Sequence, residues 1–195
     1  MFLAYLELIG ALLIVATSSL LLLTVAITYM RTGVPTLASA RAAQVQVAEY
    51  LRKNGARRIY ELGSGKGDFV FRLAARIPDA TVIGFELSVI PYVVAQLRRL
   101  WSPNRVRLHF RLMNFHRADL SQVDAVAFYL MPGPNARLKP KLERELKPGA
   151  IVASVSFTMP GWEPDQRLVA QNHSKTRSYI YKMPARTKPI ATKVS

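Results

Sequence analysis

The chain has 195 residues, half of them hydrophobic, no cysteine and a formal net charge of +15. The length suits one domain with an appendage, and the missing cysteines exclude a disulfide framework and a thiolate-bound metal. Three scattered histidines offer no zinc-ligand spacing, so no metal site is expected.

The apolar content is concentrated at the start. Between Phe2 and Met30 the single charged side chain is Glu7. As a helix rising ~1.5 Å per residue, this segment would reach ~43 Å, beyond the ~30 Å hydrocarbon core of a bilayer. Residues 1–30 are therefore expected to form one N-terminal transmembrane anchor. A cleaved signal peptide is the rival reading. No basic region precedes the apolar run, however, and the run exceeds the ~7–15 residues of such peptides. Arg31, Arg41, Arg52 and Lys53 follow the segment closely. The positive-inside rule then places residues 31–195 in the cytoplasm. Glu7 falls near the outer end, as an interfacial carboxylate or a contact to another transmembrane helix. With a membrane at hand, the basic excess suits anionic lipid headgroups ahead of nucleic acid.

A leading helix is expected over residues 35–54, with Ala42, Val45, Ala48 and Leu51 along one stripe and Asn54-Gly55 as its stop. Strand and helix then alternate. Strands are expected at 58–62, 81–86, 106–113, 123–130 and 150–158. Helices are expected at 67–77, at 88–101 with Ser88 as N-cap, and at 135–146 before Lys147-Pro148-Gly149. This alternation predicts an α/β fold with a parallel, Rossmann-like sheet, whose ligand site lies beyond the carboxyl ends of the strands. The tail breaks the rhythm. Segments 166–171 and 178–183 read as an antiparallel hairpin, and residues 159–165 leave no room for a crossover helix before it. Residues 185–195 read as a basic tail.

The strongest chemical signal is Glu61-Leu62-Gly63-Ser64-Gly65-Lys66-Gly67-Asp68, between a strand and a helix. Glycines at alternate positions let the backbone turn sharply and approach a ligand, while the amides of the helix start face it. Neither a dinucleotide fingerprint nor a phosphate loop has this spacing. Glu61 adds a carboxylate where a ligand's ammonium would lie. Glu86, closing the next strand before Leu87, can accept hydrogen bonds from ribose hydroxyls, at about the 20-residue spacing such folds use.

These motifs resemble the class I S-adenosylmethionine-dependent methyltransferases over about residues 40 to 183. The resemblance implies S-adenosyl-L-methionine as cofactor. It places Gly63, Ser64, Gly65 and Gly67 along the methionine part, Glu86 on the ribose and Asn114 at the adenine, with Leu87 among the cofactor-binding residues. Phe115 packs on the adenine or belongs to the core. Tyr60 to Asp68, Asp119-Leu120-Ser121, Tyr129-Leu130-Met131-Pro132, Glu145 to Ala150 and Phe157 to Trp162, together with the N-terminal helix, are similar to the ATP synthase c-subunit lysine N-methyltransferase family and its prokaryotic relatives. That implies a membrane-anchored protein-lysine methyltransferase acting on a protein in or at the membrane; a methyltransferase for a lipid, quinone or other small molecule there, or a non-catalytic donor-binding factor, is the alternative.

Methyl transfer needs an acceptor held in line, not an enzymic nucleophile. Tyr129, Met131 and Pro132 are the expected acceptor-channel residues, although Tyr129 also reads as a sheet-packing aromatic. The segment holds no carboxylate or histidine, so positioning and desolvation are expected to do the catalysis. His116 is a possible base or a solvated loop residue. Trp162 packs on the sheet or marks the substrate rim.

Overall fold

The computed structural model describes residues 7, 9–21, 24, 38–170 and 176–185. The chain forms two compact units, Met1–Pro35 and Thr36–Ser195. In the first, residues 9–21 are helical, and the side chains from Ala11 to Leu21 are all exposed. Thr17 Oγ1 donates back to the carbonyls of Leu13 and Ile14, at 2.8 and 3.0 Å, which satisfies its hydroxyl within an apolar helix. Among the described residues, no helix is long and apolar enough to cross a membrane. Much of the expected 1–30 anchor, namely residues 1–6, 8, 22–23 and 25–30, lies outside the described residues. So do the helix start expected at 35–37 and the tail beyond Ala185.

The second unit is built on a seven-stranded sheet. Its elements are α1 (Ala38–Lys53), β1 (Arg58–Leu62), α2 (Asp68–Arg76), β2 (Thr81–Glu86), α3 (Val89–Leu100), β3 (Leu108–Leu112), β4 (Ala125–Phe128), α4 (Pro132–Glu145), β5 (Ile151–Val155), β6 (Gln166–Val169) and β7 (Arg177–Lys182). The strand order is β3-β2-β1-β4-β5-β7-β6. Strands β1 to β5 are parallel, while β7 runs antiparallel to both β5 and β6. The expected parallel sheet with a terminal hairpin is thus observed. The order reverses between β1 and β4, where an open sheet of this kind leaves a crevice at the strands' carboxyl ends.

The sheet separates two apolar clusters. One gathers Val47, Leu51, Ile59, Phe69, Leu73 and Ala95 with the inner side chains of β1, β2 and β4. The other gathers Leu62, Phe85, Phe128, Leu138, Leu142 and Met159. Helices α1, α2 and α3 therefore cover one face and α4 the other. Parallel strands buried on both sides need continuous apolar runs, and β4 and β5 are buried along their whole length.

The structure moves several expected boundaries. The buried stripe of α1 is Ala43, Val47 and Leu51, flanked by Gln44 and Ala48, and Val45 is only half-buried. Four-residue steps follow the helical period better than the three-residue steps of the expected stripe. Gly55, at φ +71, ends the helix as expected. Its amide reaches Arg52 O, and the Ala56 amide reaches Leu51 O, each at 3.1 Å, which is the Schellman pattern. Strand β3 begins two residues late, because residues 102–107 form turns and Val106 is 79% exposed. Strand β5 stops early because Ser156 takes φ +68. Ser154 Oγ fixes that bend by donating to Phe157 O at 2.6 Å. Helix α4 begins at Pro132 rather than Asn135. Proline's fixed φ suits the first helical position, where its missing N–H is not needed.

At the opposite end of the sheet from the crevice, Asp124 ties three segments together. Its carboxylate accepts from the amides of Arg57 and Arg58 at 2.9 and 2.8 Å and from Lys147 Nζ at 2.7 Å. Burial pushes its pKa up, but the bonds from Lys147, Arg58 and Arg57 outweigh this and hold it below the usual carboxylate value. A depressed native pKa contributes stability that is present above the unfolded value of about 3.9 and lost as pH falls through the native one. Asp124→Ala is expected to cost about 1–3 kcal/mol at neutral pH, with a deficit that shrinks on acidification. Urea unfolding at a series of pH values checks this. A deficit constant with pH would assign the loss to packing instead.

Candidate active site

The glycine loop lies at the carboxyl end of β1. Gly63, Gly65 and Gly67 all take positive φ, at 87°, 53° and 87°. Gly67 is the most constrained. A Cβ there would collide with the Phe110 ring and stand 3.0 Å from Phe71, so both backbone sign and space demand glycine. The amides of Gly63 and Ser64 donate to Phe85 O at 2.9 and 2.8 Å, and that of Gly67 to Ser64 O at 2.8 Å. Gly84 of β2 is part of the same fitting. Its Cβ would meet Val70 and Ser64 at 2.7 and 2.8 Å. The sequence signal for it was a glycine inside a strand, beside the loop that needs the space.

Glu86 closes β2 and holds the loop. Its Oε2 accepts from the Gly65 amide at 2.7 Å. Its Oε1 accepts from the amides of Leu87 and Ser88 at 2.9 and 2.7 Å. Ser88 does occupy the N-cap position of α3, but its side chain makes no capping bond; Glu86 takes the amides at this junction instead. A carboxylate has about four acceptor positions, so one remains on Oε2 for a ribose hydroxyl.

Glu61 is 4% exposed. Its strand neighbours are Gly84 and Ala127. Oε2 has no hydrogen-bond partner, and neither does the buried Ser64 Oγ. Burial, then the negative charges of Glu86 and Asp68, push the Glu61 pKa well above its ordinary value, with Arg72 opposing. A buried, unpartnered carboxylate is costly, and a ligand ammonium beside it would relieve the cost. The residues therefore fit S-adenosylmethionine, with Glu61 at the amino group, Glu86 at the ribose and the glycine backbone between them.

The other expected cofactor residues sit around this cradle. Asp68 opens α2, with its carboxylate turned to Arg98 at 2.9 Å and Lys66 at 3.9 Å. Leu87 is exposed beside Glu86. Asn114 caps a 3-10 turn (Phe115–Arg117), its Oδ1 accepting from the His116 amide at 2.9 Å. That oxygen retains a second lone pair for an adenine amine. Phe115 packs against the second core cluster and the His116 ring. His116 itself is exposed. Burial, Lys141 and Arg137 lower its pKa.

The acceptor side lies past β4 and β5. Tyr129 follows β4, and its ring stacks on Phe157, which follows β5, with centroids 6.2 Å apart. Met131 is the N-cap of α4 and Pro132 its exposed first residue. Asn135, in the first turn of α4, is fully buried. Its Nδ2 donates to Ser154 Oγ at 3.4 Å and Thr158 O at 3.3 Å, while Oδ1 has no partner. Neither Asn135 nor Phe157 was legible as a site residue; α4 had to begin at Pro132 to bury Asn135 against Ser154 and Thr158, and β5 to bend at Ser156 to bring Phe157 onto Tyr129. Trp162 packs on Tyr181 and donates to Glu143 of α4 at 3.0 Å. It joins a groove of about 280 Å³ with Asp165 and Lys182. Lys182 pairs with Ile151 at the start of β5, so Trp162 belongs to the α4 face of the sheet rather than to the crevice.

Residues 61–166 match the family model described as the ANTKMT methyltransferase domain. A protein-lysine N-methyltransferase of Saccharolobus islandicus (strain REY15A) is 29% identical over 126 residues, covering 63% of this chain and 77% of that protein. A crystal structure described as an RNA methyltransferase from Salinibacter ruber with S-adenosyl-L-homocysteine has a TM-score of 0.68 at 27% identity, covering 80% of this chain and 97% of its own. An S-adenosylmethionine-dependent O-methyltransferase from Thermotoga maritima has a TM-score of 0.59 at 16% identity, covering 82% and 71%, and shares the fold.

Glu61 should couple donor binding to a proton. Its raised native pKa means that the donor-free protein loses stability as pH rises from about 4.3, the unfolded value, through the native one. Below the raised pKa, binding the donor's ammonium should release a proton, measurable by calorimetry in buffers of different ionisation enthalpy. Glu61→Gln should abolish that release, weaken binding and stabilise the donor-free protein at neutral pH. A wild-type binding heat independent of buffer would remove Glu61 from the donor site. Glu86→Ala should abolish donor binding in a protein that still folds; unchanged affinity would refute its ribose role.

Proposed function

The chain belongs to the family of the ANTKMT methyltransferase domain and is an S-adenosylmethionine-dependent methyltransferase; from that premise we propose that it is a protein-lysine N-methyltransferase, held at a membrane by its N-terminal segment with residues 31–195 in the cytoplasm, and acting on a protein in or at that membrane. The observation that carries the lysine reading is the acceptor side itself. Tyr129 stacked on Phe157 gives an aromatic wall, and residues 129–134 contain no carboxylate or histidine. The name of the Saccharolobus islandicus relative supports the same acceptor.

When bound, S-adenosylmethionine supplies an electrophilic methyl group for in-line displacement. The chain's own work is to bind and to exclude water. Glu61, Glu86 and the glycine backbone fix the donor's polar parts, and Leu87, Asn114 and Phe115 border the adenine. A lysine amine reacts only when neutral. Burying its ammonium beside Tyr129 and Phe157 lowers its pKa by desolvation. The same walls hold the amine in the near-attack position that displacement requires.

The membrane reading is supported by the N-terminal unit. Its described helix exposes Ile9, Leu12, Leu13, Ile14, Val15 and Leu20, and a helix apolar all round belongs in an apolar medium. The net charge of +15 suits anionic headgroups at its edge. An RNA acceptor is the second reading, favoured by that charge and by the description of the Salinibacter ruber structure.

Radiolabelled donor, the full-length protein and stripped membranes from its own organism test these readings together. Label on a lysine of a small hydrophobic protein is the expected result. Label in the lipid extract, or in added RNA with a steep salt dependence, would overturn it. Tyr129→Ala should lose turnover at least about tenfold while donor affinity measured by calorimetry stays unchanged.

A further inference from the structure

Helix α3 is amphipathic the wrong way round for a helix that only closes a core. Ala95 is its one buried residue. Val89, Ile90, Val93, Val94, Leu97 and Leu100 are all exposed. At 100° per residue they fall on one arc opposite Ala95. Trp101, at the helix end, lies in the same arc and is 88% exposed. The arc contains no charged residue. Single exposed apolar side chains need no explanation, but a contiguous face of this size marks a contact surface.

The charge around the face indicates its partner. From Leu87 to Ala118 there are six arginines and no aspartate or glutamate. Arg98, Arg99 and Arg107 are used internally, on Asp68, Leu108 O and Ile77 O respectively. Arg105, Arg111 and Arg117 are exposed and form no ion pair among the described residues. An apolar arc carrying an exposed tryptophan, flanked on the helix by Arg98 and Arg99 and followed by the exposed Arg105, has the chemistry of a helix lying in a bilayer interface. A second copy of the chain would bring the same arginines against each other.

We propose that the outer face of α3 is an interfacial membrane-docking surface for anionic lipid, separate from the N-terminal anchor. It rests on the membrane reading above for its choice of partner. The docked face begins beside Glu86, so it brings the rim of the donor site to the bilayer surface. Docking through α3 fixes which edge of the sheet meets the membrane and keeps the crevice next to acceptors embedded there.

The protein has two tryptophans, so Trp162→Phe in the full chain leaves Trp101 as the sole reporter. The probe is vesicles of phosphatidylcholine and phosphatidylglycerol carrying brominated acyl chains. Trp101 emission should shift to the blue and be quenched most by bromines at shallow positions, with weaker quenching in pure phosphatidylcholine. Adding Val93→Glu and Leu97→Glu should abolish the quenching while donor affinity stays unchanged. Vesicle-bound protein with an unquenched Trp101 would overturn the docking surface and leave the anchor intact. Blue-shifted emission without lipid, accompanied by a dimer, would assign the face to a second copy. Failure to bind vesicles at all would overturn surface and anchor together, leaving the lysine transfer to its own assay.

Discussion

The Glu86 carboxylate is the point on which the site depends. It receives amides from Gly65, Leu87 and Ser88, and so joins the glycine loop, the end of β2 and the entry to α3. Charge-assisted bonds of this kind are stronger than neutral ones. Glu86 holds the left-handed Gly65 directly, while Phe85 O and Ser64 O receive the amides of Gly63 and Gly67; such bonds offset the large loss of conformational freedom that glycine suffers on ordering. The group that would grip a ribose is thus also the group that shapes the cradle before any ligand arrives. Such preorganisation lowers what binding must spend on ordering.

Glu61 plays the opposite part. Where Glu86 is satisfied, Glu61 is buried with an unpartnered oxygen and a raised pKa. The two carboxylates at neighbouring strand ends differ in their surroundings: Glu86 is bonded by three amides, whereas Glu61 is desolvated, which pushes its pKa up. The unpaired one stores a cost that a cationic ligand can release. Gly84 and Ala127 pair with Glu61 in the sheet, and Ser64 and Val70 pack onto Gly84 where a Cβ would stand, so the glycine loop closes over the strand beside the charge.

The domain is also asymmetric about its sheet. Helices α1, α2 and α3 share one face, while α4 and the 156–165 connection hold the other. In place of a crossover helix, that connection carries Trp162 onto Tyr181 and into a bond with Glu143. On the first face, α1 and α2 bury their apolar stripes, whereas α3 turns most of its own outward. The apolar residues of α1 are largely alanine, whereas α3 is rich in Val, Ile and Leu, and only the packing shows that the stripe of α3 is left without a protein neighbour.

Much of this was legible in the residues. The alternation of apolar runs with Gly and Pro punctuation located each strand and helix of the second unit to within a few residues, because period and turn chemistry are local properties. That the glycine loop and Glu86 come together, as they do through the Gly65 amide, was legible for the same reason: both lie within one β-α-β unit. Boundaries depended on longer-range contacts. Ser156 bends β5 because Ser154 can reach Phe157 O, and Pro132 starts α4 at the end of a buried β4. The meeting of Tyr129 with Phe157, the burial of Asn135, the space that Gly84 gives Ser64 and the outward turn of α3 were decided by tertiary structure alone. Each joins residues distant in the chain, or depends on which side of a helix the sheet occupies, and a periodic pattern states only that a face exists, not what will cover it.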